Sequence, residues 1–508
     1  MFVLGLLKTQ CSTRASLFAE DATTMRYKLE PWDHQRTAVN RALENRDFAF
    51  LFEMGCGKTG ATINTLRFRF LETMTVRKTL IIGPLITLTN WKREFALHSN
   101  VKQSSILVLN SGPAKSKLKK FVDFVEKDGQ LVQEKIVLLN YEAFQNEDLL
   151  KALELWAPEI IIADESHRIK NHKSKRAKAI IRVADKAKHR YILTGTPILN
   201  SPKDIFNQYR FLDGGDTFGK NFYAFQCMYF KDENATWSHK PGYFPKFVPK
   251  PERFGELTRK IYTKAMRVTK DECLDLPPLI RKTIEVPLGK DQAKLYKEMK
   301  NDFITFVEDQ TNSGQSVAVV AQLAITKGLR LQQITSGYVK SEAGEEIQIK
   351  ENPRLEILRD LLGELHTEHK VIVWASFINN YRAIEKVCNE LGLRYCKIVG
   401  GMSDNERQLG MEQFQRDNSV RVCIANRGAG GEGINLTAAD YSIVYSRNFS
   451  LKEELQSEAR NHRGGSEIHE KIVKIDLVSP GTIDELVLDA LRKKEEVSNL
   501  ILDWKEKV

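Results

Sequence analysis

The segment Phe52–Thr59 (FEMGCGKT) constrains the fold of this chain more than any other stretch of the sequence. It follows the apolar run Asp47–Phe52 (DFAFLF), which is typical of a buried strand, and it leads into helix-like sequence. Gly55 and Gly57 allow a tight turn in which successive backbone N–H groups surround a phosphate. Lys58 is placed to reach the β and γ phosphates of a nucleotide. The sequence therefore predicts a phosphate-binding loop between a strand and a helix.

The same loop supplies further candidate ligands. The hydroxyl of Thr59 is a candidate ligand for Mg²⁺, and Cys56 lies among the backbone groups expected to contact the nucleotide. The helix that begins here adds a dipole favourable to negative charge. Phe52 stands where the full GxxxxGK[ST] pattern has its first glycine, so a chance glycine-rich turn is the alternative interpretation.

Apolar runs of strand length recur through both halves of the chain, separated by helical stretches. They are Lys78–Ile82, Ser105–Leu109, Lys135–Asn140, Glu159–Ala163 and Arg190–Leu193, then Val371–Trp374, Tyr395–Val399, Val420–Ile424, Ser442–Tyr445 and Ile472–Leu477. Short β-rich runs that alternate with helices predict parallel sheets covered on both faces. Such sheets carry their functional loops at the carboxyl ends of the strands. The expected fold class is α/β, with two similar units.

A second cluster of candidate catalytic residues (DESH) follows the run Glu159–Ala163. Asp164 can hold Mg²⁺ directly or through water, and Glu165 can orient and deprotonate an attacking water. Adjacent carboxylates after a strand can also be solvent-exposed groups with no catalytic role, but the phosphate loop upstream favours a catalytic role. We expect Ser166 and His167 to hydrogen-bond the loop formed by Thr194, Gly195 and Thr196, which would couple hydrolysis to movement.

The composition indicates a soluble protein with an anionic partner. Hydrophobic residues make up 42% and charged residues 28% of the chain, as in ordinary globular proteins. Lys and Arg number 77 against 66 for Asp and Glu, a formal charge of +11 that suits nucleic acid. The seven cysteines contain no CxxC pair, so neither a zinc site nor a disulfide framework is predicted.

The sequence also favours an intracellular location. No apolar run is long enough to cross a bilayer, so no membrane partner is expected. We expect the cytoplasm of a prokaryote or of an infected host and leave a nuclear location open. For residues 1–24 we prefer a disordered extension to a weak transit-like segment.

Two other stretches are rich in basic or aromatic residues. Arg168–Lys178 (RIKNHKSKRAK) could be a targeting signal, but its attachment to the catalytic loop favours a structural or nucleic-acid-facing role. From Ser201 to Leu276 the chain is aromatic, basic and rich in proline, which predicts an insertion packed on the first unit. Its aromatic side chains could stack on nucleic acid, although we prefer a small local core.

The second half carries NRGAGGEGINLTAADYSIVY and QSEARNHRGGS. With these segments the chain resembles superfamily-two helicase-like ATPases of the Swi/Snf translocase family, in a compact form like those of phages and bacteria. The resemblance runs from Leu29 to Trp504. It implies two RecA-like parallel-sheet lobes of the P-loop NTPase class that share ATP and Mg²⁺ at their seam.

The resemblance assigns roles motif by motif. LEPWDHQ resembles the adenine-reading motif and assigns Gln35 to the base, while QSEARNHR resembles the arginine-finger motif and assigns Arg460 and Arg463 to the nucleotide phosphates. AGGEGINL resembles a loop that senses both nucleotide and nucleic acid, which assigns Gly433 to the nucleotide. The residues assigned to nucleic acid are Asn90, Trp91, Tyr141, Gly431 and Asn435.

The chain also departs from the family pattern. Glu432 stands where leucine is usual, Ala459 stands where an acidic residue is usual, and the segment before Arg354 lacks the Cys-Asn-His-Pro signature. None of these changes removes a candidate catalytic group. Together they indicate a divergent branch and weaken any inference of nucleosome remodelling.

The resemblance and the composition shifts divide the chain into three parts. We expect an extension at 1–24, a first lobe at 25–276 with an insertion at about 201–270, and a second lobe at 277–508 with a helical insertion at about 290–345 and a bracing helix at 483–504.

The leading functional hypothesis is an ATP-dependent motor that moves along duplex DNA through contacts with the phosphate backbone. A strand-separating DNA or RNA helicase and the motor subunit of a restriction or defence system are the alternatives. A non-hydrolysing clamp would lack one of the groups Lys58, Asp164, Glu165 or an arginine finger, and all of them are present. Protein partners are not indicated.

Overall fold

The computed structural model describes residues 27–73, 78–110, 112–126, 134–237, 245–312, 317–340, 346–428 and 434–502. The predicted extension at 1–24 lies outside these residues. The end of the predicted bracing helix after residue 502 lies outside them as well.

The described strands are numbered in chain order. They are β1 Phe48–Phe52, β2 Lys78–Gly83, β3 Ile106–Leu109, β4 Lys135–Asn140, β5 Ile160–Asp164, β6 His189–Leu193, β7 Phe230–Asp232, β8 Phe247–Pro249, β9 Ala265–Val268, β10 Leu279–Glu285, β11 Tyr338–Lys340, β12 Glu346–Gln348, β13 Val371–Trp374, β14 Arg394–Ile398, β15 Val420–Ala425, β16 Tyr441–Val444 and β17 Ile472–Val478.

The described helices follow the same convention. They are α1 Asp33–Glu44, α2 Lys58–Thr73, α3 Leu85–His98, α4 Ala114–Glu126, α5 Glu147–Trp156, α6 Lys175–Ala184, α7 Asp204–Asp213, α8 Phe222–Tyr229, α9 Phe254–Tyr262, α10 Lys270–Cys273, α11 Lys290–Asn312, α12 Val317–Thr335, α13 Pro353–Leu365, α14 Ile378–Glu390, α15 Asp404–Arg416, α16 Leu451–Glu458 and α17 Ile483–Leu502. Short 3-10 turns include Tyr141–Gln145 and Ser166–Ile169.

Two parallel sheets organise the chain. The first has the order β3-β4-β2-β5-β6-β1-β9, and the second has the order β10-β17-β16-β13-β15-β14. Every described pairing within these two sheets is parallel. The two small hairpins, β7 with β8 and β11 with β12, are antiparallel. The expected pair of parallel-sheet α/β units is confirmed.

The first sheet is buried on both faces, as the continuous apolar character of its strands requires. In β1, Phe48, Phe50 and Phe52 join one hydrophobic core, whereas Ala49 and Leu51 join the core on the opposite face. Successive side chains of a strand point to opposite faces, so a fully apolar strand supplies both cores. The second lobe repeats this arrangement with two cores of its own.

Local signals set the ends of several helices. The side chain of Asn146 accepts from the backbone N–H of Leu149 at 2.8 Å and caps α5. Ser403 and Glu406 form a reciprocal capping box at the start of α15. Helix α7 is followed by Gly214 with a φ of 73°, a left-handed conformation that favours glycine.

Two strands of the large sheets were missed by the sequence prediction. Strand β9 lies within the predicted insertion but pairs in parallel with β1, and β10 lies at the start of the predicted second lobe and pairs with β17. Both are edge strands. Most side chains of β10 (LIRKTIE) are exposed, so this strand lacks the apolar run on which the prediction relied.

The predicted insertion contains α7, α8 and α9. Several of its aromatic rings pack against one another, with centroid separations of 4.9–6.3 Å; they are Phe206, Tyr209, Phe218, Phe222, Phe225, Tyr229 and Phe230. Most of them belong to the larger core on one face of the first sheet. The aromatic residues therefore build a core continuous with that of the first lobe.

Helix α17 reaches from the second lobe to the first. The hydroxyl of Ser498 donates to the carbonyl oxygen of Ile198 at 3.1 Å, and Arg267 donates to the side chain of Asn499 at 3.4 Å. Val497 packs against the core of the first lobe.

In the part of the chain that the structure describes, no helix is both long and apolar enough to span a membrane.

Strand β5 lies near the centre of the first sheet, and Ile162 on it is fully buried. We expect Ile162→Ala to lower the free energy of unfolding of the first lobe by about 2–5 kcal/mol, because it leaves a cavity. Leu155→Ala is the control, since the Leu155 side chain is 86% exposed and the change should cost less than about 0.5 kcal/mol. Urea titration measures both values, and equal losses would contradict the central position of β5.

Candidate active site

The phosphate loop occupies the turn between β1, which ends at Phe52, and α2, which begins at Lys58. Gly55 has a φ of 95° and Gly57 a φ of 72°, which an L side chain rarely adopts. A Cβ atom placed on Gly57 would lie 2.1 Å from the amide nitrogen of Gln35. The loop therefore requires glycine at this position for both its conformation and its packing.

Two neighbouring side chains of α1 hold the loop. The ring Nε2 of His34 is 2.9 Å from the carbonyl oxygen of Cys56, and the amide of Gln35 donates to the carbonyl oxygen of Gly57 at 2.9 Å. The other end of the Gln35 amide accepts from the backbone N–H of Trp32 at 2.8 Å. Two consecutive carbonyl oxygens of the loop are thus satisfied by α1, and Gln35 binds the loop here. Its predicted contact with adenine stays a prediction.

The thiol of Cys56 faces away from the loop surface. It is fully buried in the core formed by the phenylalanines of β1, and burial raises the pKa of this thiol. Cys56 therefore offers its backbone, and not its side chain, to a bound group. Lys58 and Thr59 are half-buried in the first turn of α2.

Asp164 ends β5 and is hydrogen-bonded through three of its oxygens. Its Oδ2 accepts from the indole N–H of Trp91 at 2.9 Å, and its Oδ1 accepts from the backbone N–H of Glu165 at 3.0 Å. Its carbonyl oxygen accepts from the hydroxyl of Tyr141 at 2.7 Å. Burial and the neighbouring charge of Glu165 raise the pKa of Asp164, against the lowering effect of Lys58.

Glu165 has the opposite electrostatic environment. Its Oε2 lies 3.3 Å from the ring Nδ1 of His167. Burial acts to raise the pKa of Glu165, but the bond to His167 and the charge of Lys58 lower it below its ordinary value. Glu165 also has a φ of 52°, a left-handed conformation that costs about 1–3 kcal/mol and is typical of functional sites.

The predicted coupling loop lies beside the phosphate loop. The hydroxyl of Thr194 accepts from the backbone N–H of Thr196 at 3.1 Å and lies 3.5 Å from Nδ1 of His167. A Cβ atom on Gly195 would lie 3.0 Å from the carbonyl oxygen of Phe52, so glycine allows the two loops to approach closely.

The expected bond from Ser166 to this loop is wrong. The Ser166 hydroxyl donates to the side chain of Gln208 at 2.7 Å, and Gln208 in turn donates to the carbonyl oxygen of Pro197 at 2.7 Å. The link to the loop therefore passes through a buried glutamine of α7. The sequence did not predict this bond, because Gln208 lies 42 residues after Ser166, in the predicted insertion.

The structure also corrects two of the residues assigned to nucleic acid. Trp91 and Tyr141 are completely buried, and both donate to Asp164, so neither side chain can contact a polymer at the surface in this conformation. Asn90 is exposed and accepts from Arg93 at 2.6 Å, and Asn435 is exposed. Gly431, the fifth residue assigned to nucleic acid, lies outside the described residues, and so does Gly433, which was assigned to the nucleotide.

The second lobe presents Arg463 to the phosphate loop. A Cβ atom on Gly55 would lie 3.7 Å from the Cβ of Arg463, and burial lowers the pKa of this arginine. Arg460 is placed differently: it is fully buried within the second lobe and donates to the carbonyl oxygen of Ile434 at 3.1 Å. The two arginines expected to act together therefore have different surroundings.

Lys270 joins the lobes at the same place, and the sequence offered no signal for it. Its backbone N–H donates to the side chain of Glu53 at 3.1 Å, and its ammonium donates to the carbonyl oxygen of His462 at 2.9 Å. His34 was missed as well, although its position beside Gln35 in LEPWDHQ could have indicated a role at the loop.

A cavity of about 620 Å³ lies along this seam. Glu53, Met54, Glu165, Gly195 and Thr196 line it from the first lobe, and the second lobe contributes residues that include Gln456, Glu458 and His462. The Thr59 hydroxyl and the Asp164 carboxylate are hard oxygen ligands that suit Mg²⁺. These residues therefore fit a magnesium nucleotide.

Two protein-family models match the chain: the SNF2-related domain over residues 34–338 and the helicase conserved C-terminal domain over residues 353–465. The chain belongs to the SNF2-related family. This assignment confirms the resemblance to Swi/Snf ATPases, the RecA-like fold class and the class of nucleic-acid-dependent ATPases.

Similar proteins include chromatin-remodelling factors. The chain is 27% identical over 481 residues to the CHD3-type chromatin-remodeling factor PICKLE of Arabidopsis thaliana, covering 89% of this chain and 32% of that protein. It is 23% identical over 461 residues to chromodomain-helicase-DNA-binding protein 1 of Homo sapiens, covering 89% and 25%. The chain thus spans about a third or less of these relatives. A solved structure of the Sulfolobus solfataricus SWI2/SNF2 ATPase core in complex with dsDNA is 23% identical, with a TM-score of 0.41 and 94% of both chains covered.

The contact between Gln35 and the phosphate loop can be tested by a substitution at Gly57. We expect Gly57→Ala to weaken binding of Mg-ADP by at least about tenfold, because the new Cβ collides with Gln35 and requires a strained φ. Isothermal titration calorimetry measures the affinity. Gly363→Ala in α13 is the control, since a Cβ atom there meets no atom within 4 Å, and wild-type binding by Gly57→Ala would refute this view of the loop.

Proposed function

We propose that the chain is an ATP-driven motor that moves along duplex DNA without necessarily separating its strands. The observation that carries this proposal is the approach of Arg463 of the second lobe to Gly55 of the phosphate loop in the first. A nucleotide held by the loop would meet this arginine across the seam. The separation of the lobes would then depend on the terminal phosphate, which is the requirement for a motor.

Different residues of the first lobe are proposed to bind the nucleotide, hold the metal and orient the attacking water. Bound Mg-ATP would supply the phosphoanhydride to be cleaved and a divalent charge that offsets the negative charge of its phosphates. Lys58 would bind the phosphates of the nucleotide, and Thr59 and Asp164 would hold the metal. Glu165 is kept ionised by His167 and Lys58, so it can orient the attacking water and accept its proton.

The second lobe completes the site. Arg463 would donate to the oxygens of the terminal phosphate as negative charge develops there. We assign Arg460 a supporting role, because its buried guanidinium holds the segment at Ile434, next to the loop expected to sense nucleotide and nucleic acid. Lys270 links Glu53 beside the phosphate loop to His462 next to Arg463, so it would sense the closure of the seam.

Duplex DNA is the proposed track. The name of the human relative includes DNA binding, and the formal charge of +11 suits a phosphate backbone. The exposed Asn90 and Asn435, with Gly431, are the proposed contacts, and such contacts carry no sequence information. A strand-separating helicase acting on DNA or RNA and the motor of a restriction or defence system remain the alternatives. Chromatin remodelling belongs to much longer relatives and is not transferred.

The ATPase assignment predicts two separable defects. Lys58→Ala should abolish DNA-stimulated ATP hydrolysis while DNA binding stays salt-sensitive, because the lysine is proposed to contact the phosphates of the nucleotide and not the DNA. Arg463→Ala should lower kcat at least about 10³-fold with ATP affinity changed much less, as for other arginine fingers. Steady-state turnover and DNA binding at two salt concentrations measure both. Wild-type turnover in Lys58→Ala would refute the site, and an Arg463→Ala defect confined to binding would refute the finger.

The mode of movement predicts a different pair of results. Wild-type protein with ATP should displace the third strand of triplex DNA, because movement along the duplex removes it without melting the duplex. It should not unwind a forked duplex of the same length. Fluorescence from a labelled strand measures both reactions. Unwinding of the fork without triplex displacement would favour the strand-separating helicase instead.

A further inference from the structure

Trp91 and Tyr141 bind Asp164 at two different atoms. The indole N–H of Trp91 donates to the side-chain Oδ2, and the hydroxyl of Tyr141 donates to the main-chain oxygen. Trp91 is 1% exposed and Tyr141 0%. A buried hydrogen bond to a carboxylate fixes the rotation of that group, since each alternative orientation would leave the donor without a partner. Trp91 therefore restrains the rotation of the Asp164 carboxylate, and Tyr141 restrains the backbone that carries it.

Both residues belong to segments that also reach the surface. Trp91 follows the exposed Asn90 in α3. Tyr141 begins the turn Tyr141–Gln145, which forms one wall of a surface groove of about 360 Å³. Lys117 of α4 lies in the same groove and donates to the side chain of Asn140, directly before Tyr141. A polymer contact at either segment would act close to these two donors.

The sheet connects the two segments to Asp164. Helix α3 follows β2 and the turn follows β4, and β2 lies between β4 and β5. The three strand ends therefore adjoin at one edge of the sheet. The side chains of α3, of the turn and of Asp164 are closely packed. A small shift of α3 or of the turn therefore moves a hydrogen-bond donor relative to Asp164, because no solvent separates them.

We propose that Trp91 and Tyr141 are positioning residues that connect nucleic-acid contact on the first lobe to the orientation of the Asp164 carboxylate. The proposal rests on the proposed function, since it assumes a nucleic-acid-stimulated ATPase. Each carboxylate oxygen of Asp164 accepts one described hydrogen bond and keeps capacity for a metal. Mg²⁺ demands near-ideal octahedral geometry, so a small rotation of the carboxylate changes the site that it offers.

The test uses substitutions that remove one donor each and keep the aromatic ring. Trp91→Phe removes the indole N–H, and Tyr141→Phe removes the hydroxyl. Trp156→Phe and Tyr209→Phe are matched controls in the same lobe. The indole N–H of Trp156 has no hydrogen-bond partner among the described residues, and the hydroxyl of Tyr209 donates to the carbonyl oxygen of Ile261 at 2.6 Å.

Two readouts separate positioning from stability. Calorimetric titration of ADP at a series of Mg²⁺ concentrations gives the Mg²⁺ concentration at which ADP binding reaches half of its maximum. This Mg²⁺ concentration should rise about tenfold in Trp91→Phe. The ratio of DNA-stimulated to basal turnover should fall about tenfold in both Trp91→Phe and Tyr141→Phe. The Mg²⁺ dependence should change less in Tyr141→Phe, because that donor binds the main chain. Both controls should keep both values.

The outcomes are distinguishable from a failure of the proposed function. If DNA does not stimulate the wild-type protein, the motor proposal fails, and with it the proposed connection to nucleic acid. If the wild type is stimulated but Trp91→Phe and Tyr141→Phe match their controls in both readouts, only the present inference is overturned. A lowered melting temperature with unchanged Mg²⁺ dependence and stimulation would also overturn it. Should Trp91→Phe fail to fold, the stimulation ratio of Tyr141→Phe decides.

Discussion

The parallel pairing of β5 with β2 and β6, and of β6 with β1, is the constraint on which the site depends. Parallel strands end at a common edge, so this pairing brings the phosphate loop, the acidic pair and the coupling loop together. The coupling loop lies so close to the phosphate loop that a Cβ atom on Gly195 would be 3.0 Å from the carbonyl oxygen of Phe52. A side chain at Gly195 would push the coupling loop away from the phosphate loop. The sheet thus supplies the alignment, and the loops supply the chemistry.

Buried polar groups give this edge its specificity. Asp164 and Glu165 are adjacent carboxylates, yet burial and the charge of Glu165 raise the pKa of Asp164, while His167 and Lys58 lower that of Glu165. Two groups of the same chemical type thereby acquire different affinities for a proton. Neighbouring charges and hydrogen bonds set such differences in pKa, because burying a charge without a partner costs free energy. The low pKa of Glu165 suits a group that orients water in its ionised form.

The fold was largely predictable, because a strand buried on both faces must be apolar throughout. The runs in the two halves correspond to observed strands within one or two residues. Strands β9 and β10 were missed because an edge strand needs little apolar character; β10 is mostly exposed and charged. The aromatic segment was predicted as a local core, but its rings merge with the core of the first lobe.

The sequence alone determined the loop, the acidic pair and the family, because each depends on residues that are close together in the chain. Only the tertiary structure decided which groups meet across long separations. It placed Trp91 and Tyr141 on Asp164 instead of at the surface, joined Ser166 to Gln208, and separated the buried Arg460 from Arg463. Hydrogen bonds and burial depend on distance in space, and a sequence motif does not encode the direction in which a side chain points.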